Sequence, residues 1–148
     1  MTSQEQEILH AKCGIVVHAT VVVGEKGQVV IPKAIRDELK IVPGDALIVA
    51  VKGDLGVGFL KESALVTLPP DGAKEVKFHS SVTVGDRGQV VIPKPVRDVI
   101  GILPGDTLIT VVKLGAVVGM VKVQDVGRMM EYMKCEIEDS ACRVRSAN

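Results

Sequence analysis

The chain has 148 residues, 18 Lys and Arg against 18 Asp and Glu, 47% hydrophobic residues, two Phe, one Tyr and no Trp. Zero net charge excludes a polycation that grips any polyanion, and no apolar run approaches the roughly 20 residues of a membrane-spanning helix. Three cysteines, Cys13, Cys135 and Cys142, are an odd count without metal-ligand spacing, which points to cytosolic thiols and a cytoplasmic protein rather than a disulfide framework.

The opening segment, MTSQEQEILHAK, is polar and acidic and lacks the basic-then-apolar order of a secretory leader. Ser3 with Gln6 three places on is a capping pattern, so 3–11 is expected to form a short helix within an N-terminal extension, 1–17. A Val-rich strand follows at 19–23, then a turn, Gly24-Glu25-Lys26-Gly27, in which glycine supplies positive φ. Gln28 to Ile31 reads as a second strand that closes a hairpin with the first. Pro32 ends it and opens a helix over 33–40, with Ile35 and Leu39 inward and Lys33, Arg36, Asp37 and Lys40 outward. Pro43-Gly44 is a turn, and 46–52 with 57–61 form a second hairpin.

The same order then recurs. Shifted by 61 places, residues 18–61 lie on 79–122 without a gap, and 24 of the 44 pairs are identical, including the whole of GQVVIPK at 27–33 and 88–94. The turn becomes Gly85-Asp86-Arg87-Gly88, and Pro95 falls in the first turn of the second helix, where it is tolerated. Two copies are too few for a solenoid, and about 45 residues are too few to bury a stable core alone. A pseudo-two-fold pair sharing one core is the expected result. Segment 62–78, with Pro69-Pro70-Asp71-Gly72 at its centre, is a linker. In the tail, 123–148, Val126, Met129, Met130, Met133 and Ile137 recur at helical spacing, so 124–140 is expected to be an amphipathic helix. The repeats carry charges of +1 and +2; the extension, linker and tail carry −1 each.

Few residues suggest catalysis or metal binding. His18 and His79 are symmetry mates at strand starts, with no neighbours that complete a ligand set. Cys135 and Cys142 suit packing, and the Met129–Met133 stripe suits core contact or, since Met adapts to varied surfaces, a docking face. Gly56-Val57-Gly58 is too short for a dinucleotide loop, and no Walker-type lysine motif occurs. Asp45 and Asp106 belong to turns rather than to an aspartic dyad. Phe59 is the one aromatic stacking surface in the repeats, which disfavours single-stranded nucleic acid. No enzymatic activity, cofactor or metal is expected.

A Gly-Gln-Val-Val-Ile-Pro-Lys strand running into a helix with Ile-Arg or Val-Arg, then Pro-Gly-Asp and a second hairpin, resembles the SpoVT/AbrB-type domain. That family includes prokaryotic transition-state regulators and MazE-like antitoxins, and the resemblance covers both copies. It implies a swapped-hairpin β-barrel with short helices, formed here within one chain as a pseudo-dimer. It further implies a double-stranded DNA surface built from the first turn and the short helix. Carried over by position, that surface has Lys26, Gln28, Lys33 and Arg36 in one copy and Arg87, Gln89, Lys94 and Arg97 in the other. Departures from the family are Gln28 and Gln89 where arginine is usual, Asp37 and Asp98 where a second basic residue is usual, and Val21 and Val82 in the first strand.

The leading expectation is a DNA-binding transcriptional regulator. An antitoxin or protein-interaction module whose C-terminal helix docks a toxin or a second copy is the alternative, and a small adaptor domain with no nucleic-acid role is a third. The basic residues also admit a plain reading as a solvated helix face, with Arg36 and Arg97 paired to Asp45 and Asp106.

Overall fold

The structure, a computed structural model, describes residues 15–67 and 76–128. Each copy contributes four strands and one helix. In the first copy these are β1 (Ile15–Val22), β2 (Gln28–Val30), α1 (Lys33–Leu39), β3 (Ala46–Lys52) and β4 (Gly56–Leu60). In the second they are β5 (Val76–Thr83), β6 (Gln89–Val91), α2 (Lys94–Ile100), β7 (Thr107–Lys113) and β8 (Val117–Lys122). Short 3-10 turns at Glu62–Thr67 and Val123–Asp125 follow the last strand of each copy. The 3–11 helix lies outside the described residues. Of the tail helix expected over 124–140, 124–128 is described: 124 and 125 belong to the 3-10 turn and 126–128 is α-helical; Met129, Met133, Ile137 and the two tail cysteines lie outside.

The predicted first hairpin is not a ladder of its own. β1 pairs with β7 and β5 with β3, so each first strand adds to the sheet of the other copy. β2 pairs with β6, again across the copies, with Val29 opposite Val90. The turn between β1 and β2 is tight, with Gly24 N–H on the Gln28 carbonyl at 2.9 Å, but its arms diverge to partners in the other repeat. The central strands do the same: β4 pairs with β8, Gly58 opposite Gly119. Val29/Val90 and Gly58/Gly119 are each symmetry mates facing each other, so both pairs mark the pseudo-two-fold axis.

The main sheet has the order β1-β7-β8-β4-β3-β5, all antiparallel. It does not close as a barrel. β1 and β5 are its two edges and have no ladder to each other; the β2–β6 ribbon and the two helices cover the core instead. Both edges carry a bulge at the equivalent place, His18-Ala19 in β1 and His79-Ser80 in β5. A bulge twists an edge and blocks strand addition, which suits an open sheet in water. In β7, Thr110 faces the first bulge and its hydroxyl donates to the Ala19 carbonyl.

The core is aliphatic. Ile31, Ile35, Leu47, Val49 and Phe59 from one copy meet Ile92, Val96, Leu108, Val112 and Met120 from the other in one buried cluster. Alternation explains the selection: Leu47, Val49 and Val51 point inward from β3, as period two demands. Each helix starts after a proline with ψ near 140°, whose missing N–H leaves nothing unpaired. Each ends in a left-handed residue, Lys40 at φ 57° and Gly101 at φ 80°, and the amide after it returns to the carbonyl of Arg36 or Arg97. Only Ile35 is fully buried on α1, and Val96 and Ile100 on α2, so neither helix has a core apart from the strands of both copies.

Because β1, β2 and β4 all find ladders in the other repeat, residues 1–66 alone should not form a folded monomer. We expect light scattering and circular dichroism on that fragment to show an unfolded chain at low concentration. At higher concentration it should form a folded homodimer in which a second fragment replaces the second copy.

Candidate nucleic-acid interface

The turns and helices singled out by sequence cluster around the β2–β6 ribbon, but not in the grouping the repeats suggest. Ile31 N–H donates to the Gly88 carbonyl and Ile92 N–H to the Gly27 carbonyl, each at 2.9 Å. Each helix therefore begins beside the turn of the other copy. Arg36 lies against Gly88, where an added Cβ would run into its Nε, Cδ and Cζ; Arg97 lies against Gly27 in the same way. The basic residues thus form two composite clusters. One joins Lys33 and Arg36 of α1 to the Arg87 turn, and the other joins Lys94 and Arg97 of α2 to the Lys26 turn.

Gly27 and Gly88 are buried with φ of 82° and 81°. Both requirements, the left-handed backbone and the arginine overhead, exclude a side chain. Arg36 and Arg97 are half-buried, and each donates Nε–H to the carbonyl of the strand before its helix, Ile31 or Ile92, at 2.9 Å. They do not pair with Asp45 and Asp106. Those carboxylates accept the amide N–H of Val42 and Leu103 instead, which shapes the Pro-Gly-Asp turns. Lys61 is also 3.5 Å from Asp45.

Gln28 and Gln89 have a local task that sequence did not reveal. Each folds over the first turn glycine, Gly24 or Gly85, and its Oε1 accepts the amide N–H of Lys26 or Arg87 at 2.9 Å. The side chains lock the turns whose tips carry the basic residues. Val30 and Val91, each 46% exposed, share the outer face of the ribbon with them. Their exposure follows from strand alternation around the buried Val29 and Val90, a signal present in Gln-Val-Val-Ile but overshadowed by the basic residues. Lys26, Lys33, Arg87 and Lys94 are exposed. Lys33 is held 3.2 Å from Asp37 one helical turn on.

Among the described residues no group of three or more His, Cys, Asp or Glu could hold a metal, and no helix is long and apolar enough to cross a membrane. His18 Nε2 is buried without a hydrogen-bond partner, 3.8 Å from Glu38; His79 is exposed.

Two segments, 20–57 and 81–118, match the family described as "Antidote-toxin recognition MazE, bacterial antitoxin". They fall on the two repeats and together make up half of the sequence, so the chain belongs to the MazE antitoxin family and carries its domain twice. Among solved structures, the solution structure of PHS018 from Pyrococcus horikoshii is similar at 29% identity, with a TM-score of 0.40, over 73% of this chain and 95% of that one. No curated protein matches.

The Gly88 contact gives a test of the composite arrangement. Gly88→Ala should destabilise the protein by about 1–2 kcal/mol from left-handed backbone strain alone, plus the displacement of Arg36. Gly44→Ala, where φ is 92° but nothing lies within 4 Å of the new methyl, should show the strain alone. Urea denaturation is expected to rank Gly88→Ala clearly below Gly44→Ala.

Proposed function

We propose that the protein is a double-stranded DNA-binding regulator that lays the outer face of the β2–β6 ribbon and its two flanking clusters on the duplex. The observation that carries this reading is the pair of basic clusters disposed about a pseudo-two-fold axis that passes through the ribbon. Duplex DNA has a local two-fold axis of its own, and cations placed on both sides of one can neutralise phosphates across a groove. Lys26, Lys33, Arg36, Arg87, Lys94 and Arg97 supply those charges. Gln28 and Gln89 sit nearest the bases, holding the turns in place with Oε1 and offering their remaining amide capacity to base edges. Zero net charge keeps affinity dependent on the local clusters rather than on the field of the whole chain.

The family description itself supports a second reading, an antitoxin in which the same scaffold presents a toxin-binding segment. The expected amphipathic segment around Met129, Met133 and Ile137 is the part of the sequence suited to that task. The two readings are compatible when one chain both regulates and neutralises.

If all six cations neutralise phosphate, log affinity against log salt should have a slope of about −5, with a roughly thousandfold loss between 50 and 200 mM. Lys33→Ala with Lys94→Ala is the informative pair, because both side chains are exposed, whereas Arg36 and Arg97 also support the fold. This double variant should keep its thermal stability and flatten the slope by up to about two units. Undetectable duplex binding at 50 mM salt over a random-sequence pool would turn the assignment to the protein-partner reading.

A further inference from the structure

The two basic clusters share one backbone and differ in side chains. The turns agree in their details: Gly27 and Gly88 have φ of 82° and 81°, and the glutamine bonds to Lys26 and Arg87 are both 2.9 Å. The helices start alike, with Pro32 and Pro93 at φ −53° and −57° and ψ 142° and 143°. Whatever distinguishes the clusters therefore lies in side-chain chemistry.

Grouped as they meet in space, the clusters differ in the kind of cation they carry rather than in net charge. The cluster of α1 and the second turn holds Lys33, Arg36 and Arg87 against Asp37 and Asp86, with Glu38 turned to His18 at 3.8 Å, so it is positive by one charge, and Lys33 is ion-paired to Asp37. The cluster of α2 and the first turn holds Lys26, Lys94 and Arg97 against Asp98 and Glu25, so it too is positive by one charge. The first cluster thus carries two guanidinium groups and one ammonium, that of Lys33. The second carries two ammonium groups and one guanidinium, that of Arg97.

These are different tools. A guanidinium is a planar fork that can bond both acceptors of a guanine, whereas an ammonium is a point charge suited to phosphate and indifferent to sequence. We propose, building on the DNA-binding reading above, that the two clusters divide the work, with the cluster that holds Arg87 specifying sequence and the cluster that holds Lys26 anchoring phosphate. The duplex site is then non-palindromic, with one half well specified and containing guanine opposite Arg87, and the other half loosely specified. A homodimer of identical copies has no means to do this. Covalent duplication does, because Arg87 and Lys26 occupy equivalent positions and are free to differ.

Selection of duplexes from a random pool by the full chain tests this directly. The wild-type chain should enrich a sequence whose two halves carry unequal information. Arg87→Lys should erase the guanine preference in the stronger half, lower affinity for the enriched sequence by about tenfold and make the halves alike. Lys26→Arg should add guanine preference to the weaker half and make the site palindromic. Lys94→Ala should flatten the salt slope by about one unit and leave the enriched sequence unchanged. A palindromic wild-type site with equal halves, or an Arg87→Lys variant that enriches the wild-type sequence unaltered, overturns the division of labour and leaves the DNA-binding reading standing. Failure of the wild-type chain to bind any duplex overturns both.

Discussion

The backbone hydrogen bonds of each first strand are satisfied only by the other repeat. β1 needs β7, β5 needs β3, and the β2–β6 ribbon needs both copies at once. An unpaired strand would leave a row of donors and acceptors without ladder partners, so neither repeat has a finished structure to itself. The shared aliphatic core follows from this exchange, since it lies between a sheet and a ribbon that are each built from both copies. So does the composite clustering of basic residues: the turn of one copy reaches the helix of the other because its two arms are already paired there.

Much of this was written in the sequence, and the remainder was hidden for definite reasons. The gapless repeat, the turn glycines and the proline before each helix placed the elements to within a few residues, because each depends on local backbone chemistry. The helix was expected over 33–40 and ends at Leu39, with Lys40 as its left-handed cap. Strand partners were less legible. Period-two alternation identifies a strand and its inward face, but nothing in segments such as 19–23 says which of two equally apolar ladders they will join. The residues by themselves read as a hairpin paired with itself; the exchange of hairpins between the copies came from the family resemblance, and the ladders bear it out. Closure of the sheet was carried by family resemblance alone, and the observed sheet remains open at β1 and β5.

Residue roles diverged further from expectation. Arg36 offered a choice between solvent, phosphate and Asp45, yet it donates Nε–H to Ile31 and covers Gly88. No sequence spacing could have shown this, because Gly88 lies 52 positions away and in the other repeat. Gln28 resembled a base reader and proves first to be a turn lock. In both cases a polar side chain beside an exposed backbone amide or carbonyl found its nearest partner there. The copies also diverge at the far end of the sheet. There Arg128 bonds Asp54 at 2.7 Å and reaches Asp125, holding the Asp54 carboxyl below its usual range. The positions equivalent to those two acids are Gly115 and Ala64, so the second copy of this ion pair does not exist.

The peptide connection between the repeats has a consequence for how the protein responds to dilution. Two separate halves would associate in proportion to the square of their concentration, and would disassemble, exchange partners or mix with related chains when scarce. Joined by a short segment, each half meets the other at an effective concentration in the millimolar range however few molecules are present. The active unit therefore forms in linear proportion to the amount of chain made. Its two faces always stay together in a fixed pairing, and no foreign half can be substituted for either.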